Sequence, residues 1–226
     1  MKNIALMGGS FNPPHSGHFE MARYIYETLK VDEVWFLFSQ NWQKDPSKYV
    51  SDNHRIEMGR ILASHHYPDF PFVMSNIQNE IGTHMTYEVL TELKRRFPEN
   101  RFIWTMGADN LATFHTWENA SDIMENFPIA VLDRPPYTQA AQSSYMALTY
   151  AHLKTETAKD LRDSDTGWHF LNNPLMDMSS SSLLADLFNA KANDDPRMKE
   201  VLEYIREHGL YPQSTSAQPN STLNKG

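Results

Sequence analysis

Short runs of consecutive apolar residues alternate along this chain with longer stretches in which apolar residues recur every three or four positions. The short runs, at 3–7, 34–38, 72–75, 102–106, 129–132 and 169–171, predict strands. They read as continuous apolar segments rather than in-out alternation, the pattern of strands covered on both faces. The longer stretches, at 17–29, 53–64, 87–96, 117–125, 180–190 and 197–208, predict helices. In the first of them Phe19, Ala22, Tyr26 and Leu29 fall on one helical face. Strands interleaved with helices make βαβ units, so the expected fold is α/β, a parallel sheet with helices on both faces. The segment 133–167 is less regular: one helix near 140–153 is expected, then a polar excursion over the surface. The polar run beyond Tyr211 reads as disordered. The expectation is therefore a single domain at 1–212 and a tail at 213–226.

Composition narrows the function. At 226 residues the chain is long enough for one well-packed domain. A net charge of −8 with no run of Lys or Arg disfavours a nucleic-acid partner, which needs a basic face. There are no cysteines, which removes disulfides, thiolate catalysis and Cys–zinc sites. No apolar stretch approaches the roughly 20 residues of a membrane span. The apolar run before Gly8 is too short for a signal-peptide core. The expected location is cytoplasmic, with no membrane partner.

The candidate chemistry lies directly after the first predicted strand, where the chain reads Gly8-Gly9-Ser10-Phe11-Asn12-Pro13-Pro14-His15-Ser16-Gly17-His18 and enters a helix. Two residues without a Cβ let a phosphate approach the backbone. Two prolines stiffen the turn. Two histidines three apart at a helix start can face one ligand beside the positive end of the helix dipole. The spacing is neither a Walker A loop nor a GxGxxG fingerprint. A two-histidine zinc site is a rival reading, though no clear third ligand lies nearby.

The segment from Gly8 to His18 resembles the signature of the nucleotidylyltransferase superfamily, with its H-x-G-H motif at His15-Ser16-Gly17-His18. Within it the chain is most similar to the bacterial nicotinate-nucleotide adenylyltransferases. The likeness continues through Met85-Thr86-Tyr87-Glu88, Met106-Gly107-Ala108-Asp109-Asn110-Leu111, Phe114-His115-Thr116-Trp117, Leu132-Asp133-Arg134-Pro135, Met178-Ser179-Ser180-Ser181 and Tyr204 to Tyr211. It implies a Rossmann-like sheet and the transfer of AMP from ATP to nicotinate mononucleotide, with pyrophosphate released, as a step of NAD biosynthesis. It implies Mg²⁺ carried with ATP through phosphates and waters. By the same resemblance His15, His18 and Lys44 are catalytic. ATP is contacted by Gly8, Gly9, Ser10, Phe11, Gly17, Gly107, Asp109, Ser180 and Ser181, with Asp109 on a ribose. The mononucleotide is met by Asn12, Thr86, Tyr87 and Trp117: a helix N-cap at Thr86 receives the pyridine carboxylate, and Trp117 stacks on the ring.

The chain also departs from the family pattern. Asn-Pro-x-Lys becomes Asn41-Trp42-Gln43-Lys44, with Lys48 a competitor for the same role. The arginine of Ser-Ser-Thr-x-x-Arg becomes Leu184, leaving Arg134 or Lys44 as substitute cations. Two alternatives stay open: another acceptor, nicotinamide mononucleotide or phosphopantetheine, and a nucleotide-binding protein of low turnover. Self-association is also left open.

Overall fold

The order in which the strands lie decides where a ligand can sit. In the computed structural model, which describes residues 1–39, 50–134, 136–172 and 195–211, six strands form one parallel sheet. They are β1 (Asn3–Gly9), β2 (Glu33–Phe38), β3 (Phe72–Ser75), β4 (Arg101–Gly107), β5 (Pro128–Leu132) and β6 (Gly167–Leu171). Their order is β3-β2-β1-β4-β5-β6. The chain therefore builds outward from β1 in one direction and from β4 in the other. A crevice opens where the two directions part, at the carboxyl ends of these two strands. The register pairs Met7 with Thr105, so Gly9 and Gly107 finish at the same height on that edge.

All six predicted strands are present. Five extend one or two residues beyond the predicted run, because flanking residues such as Glu33, Arg101, Gly107 and Trp168 still pair in the ladder. Helices α1 (Ser16–Leu29), α2 (Asp52–His66), α4 (Thr86–Arg96), α6 (Ala120–Asn126) and α10 (Lys199–Glu207) answer to predicted ones. Two short helices, α3 (Ile77–Ile81) and α5 (Ala108–Thr113), were not predicted. The expectation for 133–167 needs correction. In place of one helix and an excursion, it holds α7 (Thr138–Gln142), α8 (Tyr145–Thr149), a 3₁₀ turn and α9 (Ala158–Asp163). Ser144 ends the run by capping α8, accepting from the Ala147 N–H at 3.3 Å. Thr157 and Asp160 form a capping box that starts α9 and seats Leu161 in the core. The predicted helix 180–190 lies outside the described residues. No helix among the described residues is long and apolar enough to cross a membrane.

Alternate residues of each strand feed two cores. Ala5 and Met7 join Phe19, Ala22 and Ile25 of α1, Met58 and Leu62 of α2, and Val201 and Ile205 of α10. Ile4 and Leu6 join Val89, Leu90 and Leu93 of α4 and Ile123 of α6. Each of these side chains larger than alanine contributes about 1.5–3 kcal/mol on leaving water.

One polar group is buried among them. Arg55 of α2 is fully buried. Its Nη1 donates to the carbonyls of Ser39, at 2.9 Å, and of Ser10, while Nη2 pairs with Asp52. The carbonyl groups lie just beyond β1 and β2, so this guanidinium fixes the loops leaving the two strands. Replacing Arg55 by Met takes the guanidinium away from both carbonyls and from one oxygen of Asp52. The expected loss is about 3–5 kcal/mol, the scale of breaking a buried pair from one side, read from urea denaturation of the full chain. A loss under about 1 kcal/mol would mean that the loops are held by other contacts.

Candidate active site

The loop after β1 delivers the two histidines. His15 is the N-cap of α1 and His18 its third residue. The proline-stiffened approach ends in an extended residue, and the helix begins at Ser16. The imidazole of His15 is 2% exposed and stacks on that of His18, with centroids 3.6 Å apart and planes at 28°. His18 Nδ1 accepts from the backbone N–H of His15 at 3.2 Å. In the neutral ring the proton therefore sits on Nε2, which is left to donate. Neither ring nitrogen of His15 has a partner among the described residues. A buried polar group left so costs about 1–3 kcal/mol, which is what a ligand oxygen or water would relieve.

Burial sets the protonation state. It pushes the His15 imidazole down to about 4, opposed by the Asp195 carboxylate. It also holds His18 well below its ordinary value, helped by neighbouring His15 and Arg134. Both rings are neutral at pH 7. Asp195 is placed by a bidentate contact from Arg197, at 2.9 Å for both bonds, and receives the Ser16 hydroxyl at 2.5 Å. Arg197 also reaches Glu20 of α1 at 2.8 Å. This ties the segment after residue 194 to the start of α1.

The glycines have a packing reason beside the one read from the sequence. A Cβ on Gly8 would lie 2.6 Å from the Trp104 ring, and one on Gly9 2.9 Å from Phe11. Phe11 is itself buried beneath His18, edge-on at 4.9 Å, against Phe36 and Phe38. Its side chain acts as a floor. Gly17 is buried between the two histidines, and Ser10 lends its carbonyl to Arg55. Asn12 Oδ1 accepts from the Tyr211 hydroxyl at 2.8 Å and the Val50 N–H at 3.4 Å.

Across the crevice, Gly107 is the N-cap of α5. A Cβ there would lie 2.3 Å from Asp109 Oδ1. Asp109 is the second residue of α5, with Oδ2 3.2 Å from Arg134 Nη1 and Oδ1 buried without a partner among the described residues. The Arg134 charge, which disfavours the imidazolium of His18, brings both sides into one electrostatic site.

Two expectations shift. Thr86 is not the N-cap of α4 but its first residue. Met85 is the cap, and its N–H goes to Thr83 Oγ1 at 3.1 Å. The helix mouth still faces the carboxyl edge of the sheet, because α4 runs back against the strands. Its opening N–H groups at Thr86 and Tyr87 precede the first intrahelical bond, from Val89 to Met85. The Tyr87 ring packs toward Phe127, 6.5 Å away, so what it presents to the mouth is backbone. Trp117 does not begin a helix. It follows a 3₁₀ turn, with α6 starting at Ala120, and is half-buried, edge-on to Phe114 at 5.0 Å. Lys44, Ser180, Ser181 and Leu184 lie outside the described residues. Among those described, no cluster of three or more His, Cys, Asp or Glu is placed to hold a metal.

Sequence reading missed Arg55 and Asp195. Arg55 had a signal: it shares the apolar face of α2 with Met58, Gly59 and Leu62. Asp195 had none, because its role depends on a contact with Ser16 across 179 residues.

The depressed histidine has a thermodynamic signature. The folded His15 stays neutral down to about pH 4, while the unfolded ring takes its proton near 6.5. Stability from this group is complete above pH 6.5 and is lost as pH falls toward 4, by about 3 kcal/mol. Urea titrations from pH 7 to 4 should show His15→Asn losing less stability on acidification than the parent. Parallel curves would dismiss the argument.

The comparisons agree with this geometry. Residues 6–185 match the cytidylyltransferase-like family model. A Cereibacter sphaeroides protein named "probable nicotinate-nucleotide adenylyltransferase" is 39% identical over 186 residues, covering 80% of this chain and 96% of its own. One of the same name from Methylorubrum extorquens is 36% identical, with 80% and 97% covered. A solved structure of Plasmodium falciparum nicotinic acid mononucleotide adenylyltransferase complexed with NaAD superposes with a TM-score of 0.66 at 17% identity, covering 93% of this chain and 98% of that one. At that identity the superposition speaks for the fold alone. The family match and the curated relatives go further: the chain belongs to the cytidylyltransferase-like family, among its nicotinate-nucleotide adenylyltransferases.

Proposed function

We propose that this protein transfers AMP from ATP to nicotinate mononucleotide, giving nicotinate adenine dinucleotide and pyrophosphate. The observation that carries the reading is the stacked pair of neutral histidines at the mouth of α1, one of them buried with ring nitrogens unpartnered among the described residues, in a chain of this family. Such a pair wants anionic oxygen. A phosphate oxygen of the mononucleotide attacks the α-phosphorus of ATP, the bond from that phosphorus to the bridging oxygen breaks, and pyrophosphate leaves with its electron pair. No residue need be covalently modified, so the protein's work is alignment and charge stabilisation. His18 donates through Nε2–H to the α-phosphate oxygens. His15 supplies a second nitrogen, and the start of α1 adds backbone N–H groups. Phosphate near either ring favours the imidazolium, so positive charge is gained as ligand binds.

Arg134, beside Asp109, or Lys44 takes over the phosphate contact where Leu184 replaces the family's arginine. Asp109, with Oδ2 held by Arg134, offers Oδ1 to a ribose hydroxyl. Gly8, Gly9, Ser10, Phe11, Gly17 and Gly107 shape the ATP half. Asn12, Thr86, Tyr87 and Trp117 shape the mononucleotide half. Lys44, Ser180 and Ser181 are assigned on the family pattern alone. Mg²⁺, when bound, neutralises charge on the transferring phosphates. With imidazoles and two arginine-paired carboxylates, Asp109 and Asp195, as the donors among the described residues, we assign it to the phosphates of ATP and to water.

A coupled assay of pyrophosphate release tests the reading. His18→Ala should lower kcat by about 10² or more, the scale of losing one preorganised donor, with circular dichroism unchanged. Near-normal turnover would remove His18 from the mechanism. The same assay tests the acceptor. Backbone donors at the mouth of α4 favour a carboxylate over an amide, so nicotinate mononucleotide should exceed the nicotinamide form in kcat/KM by on the order of 10² or more. Equal values would overturn the choice of substrate.

A further inference from the structure

A carboxylate joins the start of α1 to the start of the helical segment that ends in α10. Asp195 precedes Pro196, which favours an extended backbone before it, here φ −107° and ψ 104°. It caps the 3₁₀ turn Pro196–Met198 that leads into α10, with Oδ1 accepting the Arg197 N–H at 3.0 Å. Met198 anchors that turn, fully buried in the same core as Phe19 and Ala22 of α1. Arg197 then folds back on the cap: Nε donates to Oδ1 and Nη2 to Oδ2, each at 2.9 Å. Backbone, proline and guanidinium together fix both oxygens in place.

Oδ2 also receives the Ser16 hydroxyl at 2.5 Å. Ser16 is fully buried and is the first residue of α1, directly after the N-cap His15 and two before His18. A serine hydroxyl sits one bond from Cβ, so a charged acceptor that holds it also holds the backbone. A lone carboxylate this close to a phosphate site would repel the ligand. This one is balanced: Arg197 also pairs with Glu20 at 2.8 Å, and Glu20 with Arg23 at 2.7 Å. Two carboxylates and two guanidiniums alternate, so the row of four carries no net charge. What Asp195 offers at short range is its fixed geometry and its effect on the ring beside it, where its charge opposes the burial that disfavours the imidazolium of His15.

We propose that Asp195 is a positioning residue for the transfer step: locked by Arg197, it holds the Ser16 hydroxyl and so sets where the first turn of α1 carries His15 and His18. This rests on the reading of those histidines as the groups that meet the transferring phosphate. The rings are stacked with centroids 3.6 Å apart, and His18 takes its tautomer from the His15 backbone N–H. A shift at Ser16 therefore reaches both rings. Donors that serve the transition state are sensitive to small displacements, so the loss falls on turnover rather than on affinity.

A double-mutant cycle in the full chain tests this. Ser16→Ala and Asp195→Ala should each lower kcat about tenfold or more, the scale of one hydrogen bond to a charged group. KM for ATP and for nicotinate mononucleotide should change less than about twofold. The double variant should lose no more than the larger of the two single losses, because both substitutions remove one shared contact. Losses that multiply would mean that the two residues act apart, and would overturn the proposal. So would parental kcat with a lowered Tm, the pattern of a merely structural tether, or KM values that rise at parental kcat. Should Asp195→Ala not fold, Ser16→Ala decides alone, and parental kcat in that variant sinks the role given to Asp195. His18→Ala in the same assay separates the two layers. If it keeps its turnover, the underlying reading of the histidines fails; if it loses turnover while Ser16→Ala and Asp195→Ala do not, only the role of Asp195 fails.

Discussion

The crevice depends on how the loop between β1 and α1 is clamped, and the clamp is the buried guanidinium of Arg55. A loop that approaches a ligand with its backbone has few side chains of its own to pack. Gly8 and Gly9 contribute none, and Ser10 contributes its carbonyl. Something outside the loop must hold it. Arg55 does so from α2, joining the Ser10 carbonyl to that of Ser39 beyond β2, while the Ser39 N–H returns to the Gly9 carbonyl at 3.0 Å. Asp52 balances the charge and passes the network to Asn79 of α3 at 2.5 Å. A planar donor with five N–H groups can serve two carbonyls and a carboxylate at once; a lysine cannot match that fork. The histidines inherit their position from this arrangement, since α1 begins where the loop ends.

Net charge poses a second constraint. A protein at −8 repels a triphosphate at long range, so attraction must be local. On the proposed reading, that attraction falls to groups that carry little charge until a ligand arrives: two neutral imidazoles and the backbone N–H groups at the start of a helix. A permanently charged pair stacked at 3.6 Å would repel itself in the absence of ligand. Burial avoids that by keeping both rings neutral, and His18 still donates because the His15 backbone fixes its tautomer.

Most of the scaffold was legible in the sequence because strands and long helices are periodic. The six strands and the described long helices needed only the spacing of apolar residues. Short helices escaped for a physical reason: α3, with five residues, and α5, with six, complete too few turns to display a period. α8 and α9 start at capping side chains, Ser144 and Thr157, inside polar sequence that reads as loop. At the site, the paired histidines and the glycines were legible as a local motif. The Thr86 cap was misplaced by one residue because Thr83 takes the Met85 N–H instead. Trp117 was drawn into a helix by its apolar neighbours, although the chain turns at Asn119 with φ 55° before α6. Contacts across the chain, such as Asp195 to Ser16 and Tyr211 to Asn12, have no local signature.

The glycines show why motif and packing are hard to separate. From sequence alone, Gly8 and Gly9 read as room for a phosphate. In the fold each also faces an aromatic ring at a distance that no Cβ would tolerate, Trp104 on one side of the sheet and Phe11 on the other. Those rings belong to the two separate cores. Each core thus runs up to the tip of β1 and presses a ring against the backbone there. The rings behind that backbone stop it from retreating. Widening either glycine would displace a ring, and on the Phe11 side the displacement would pass directly to His18, which rests on that ring. Loop, floor and histidine therefore form one mechanical unit, and the same absence of a side chain serves both the approach of phosphate and the seating of the core.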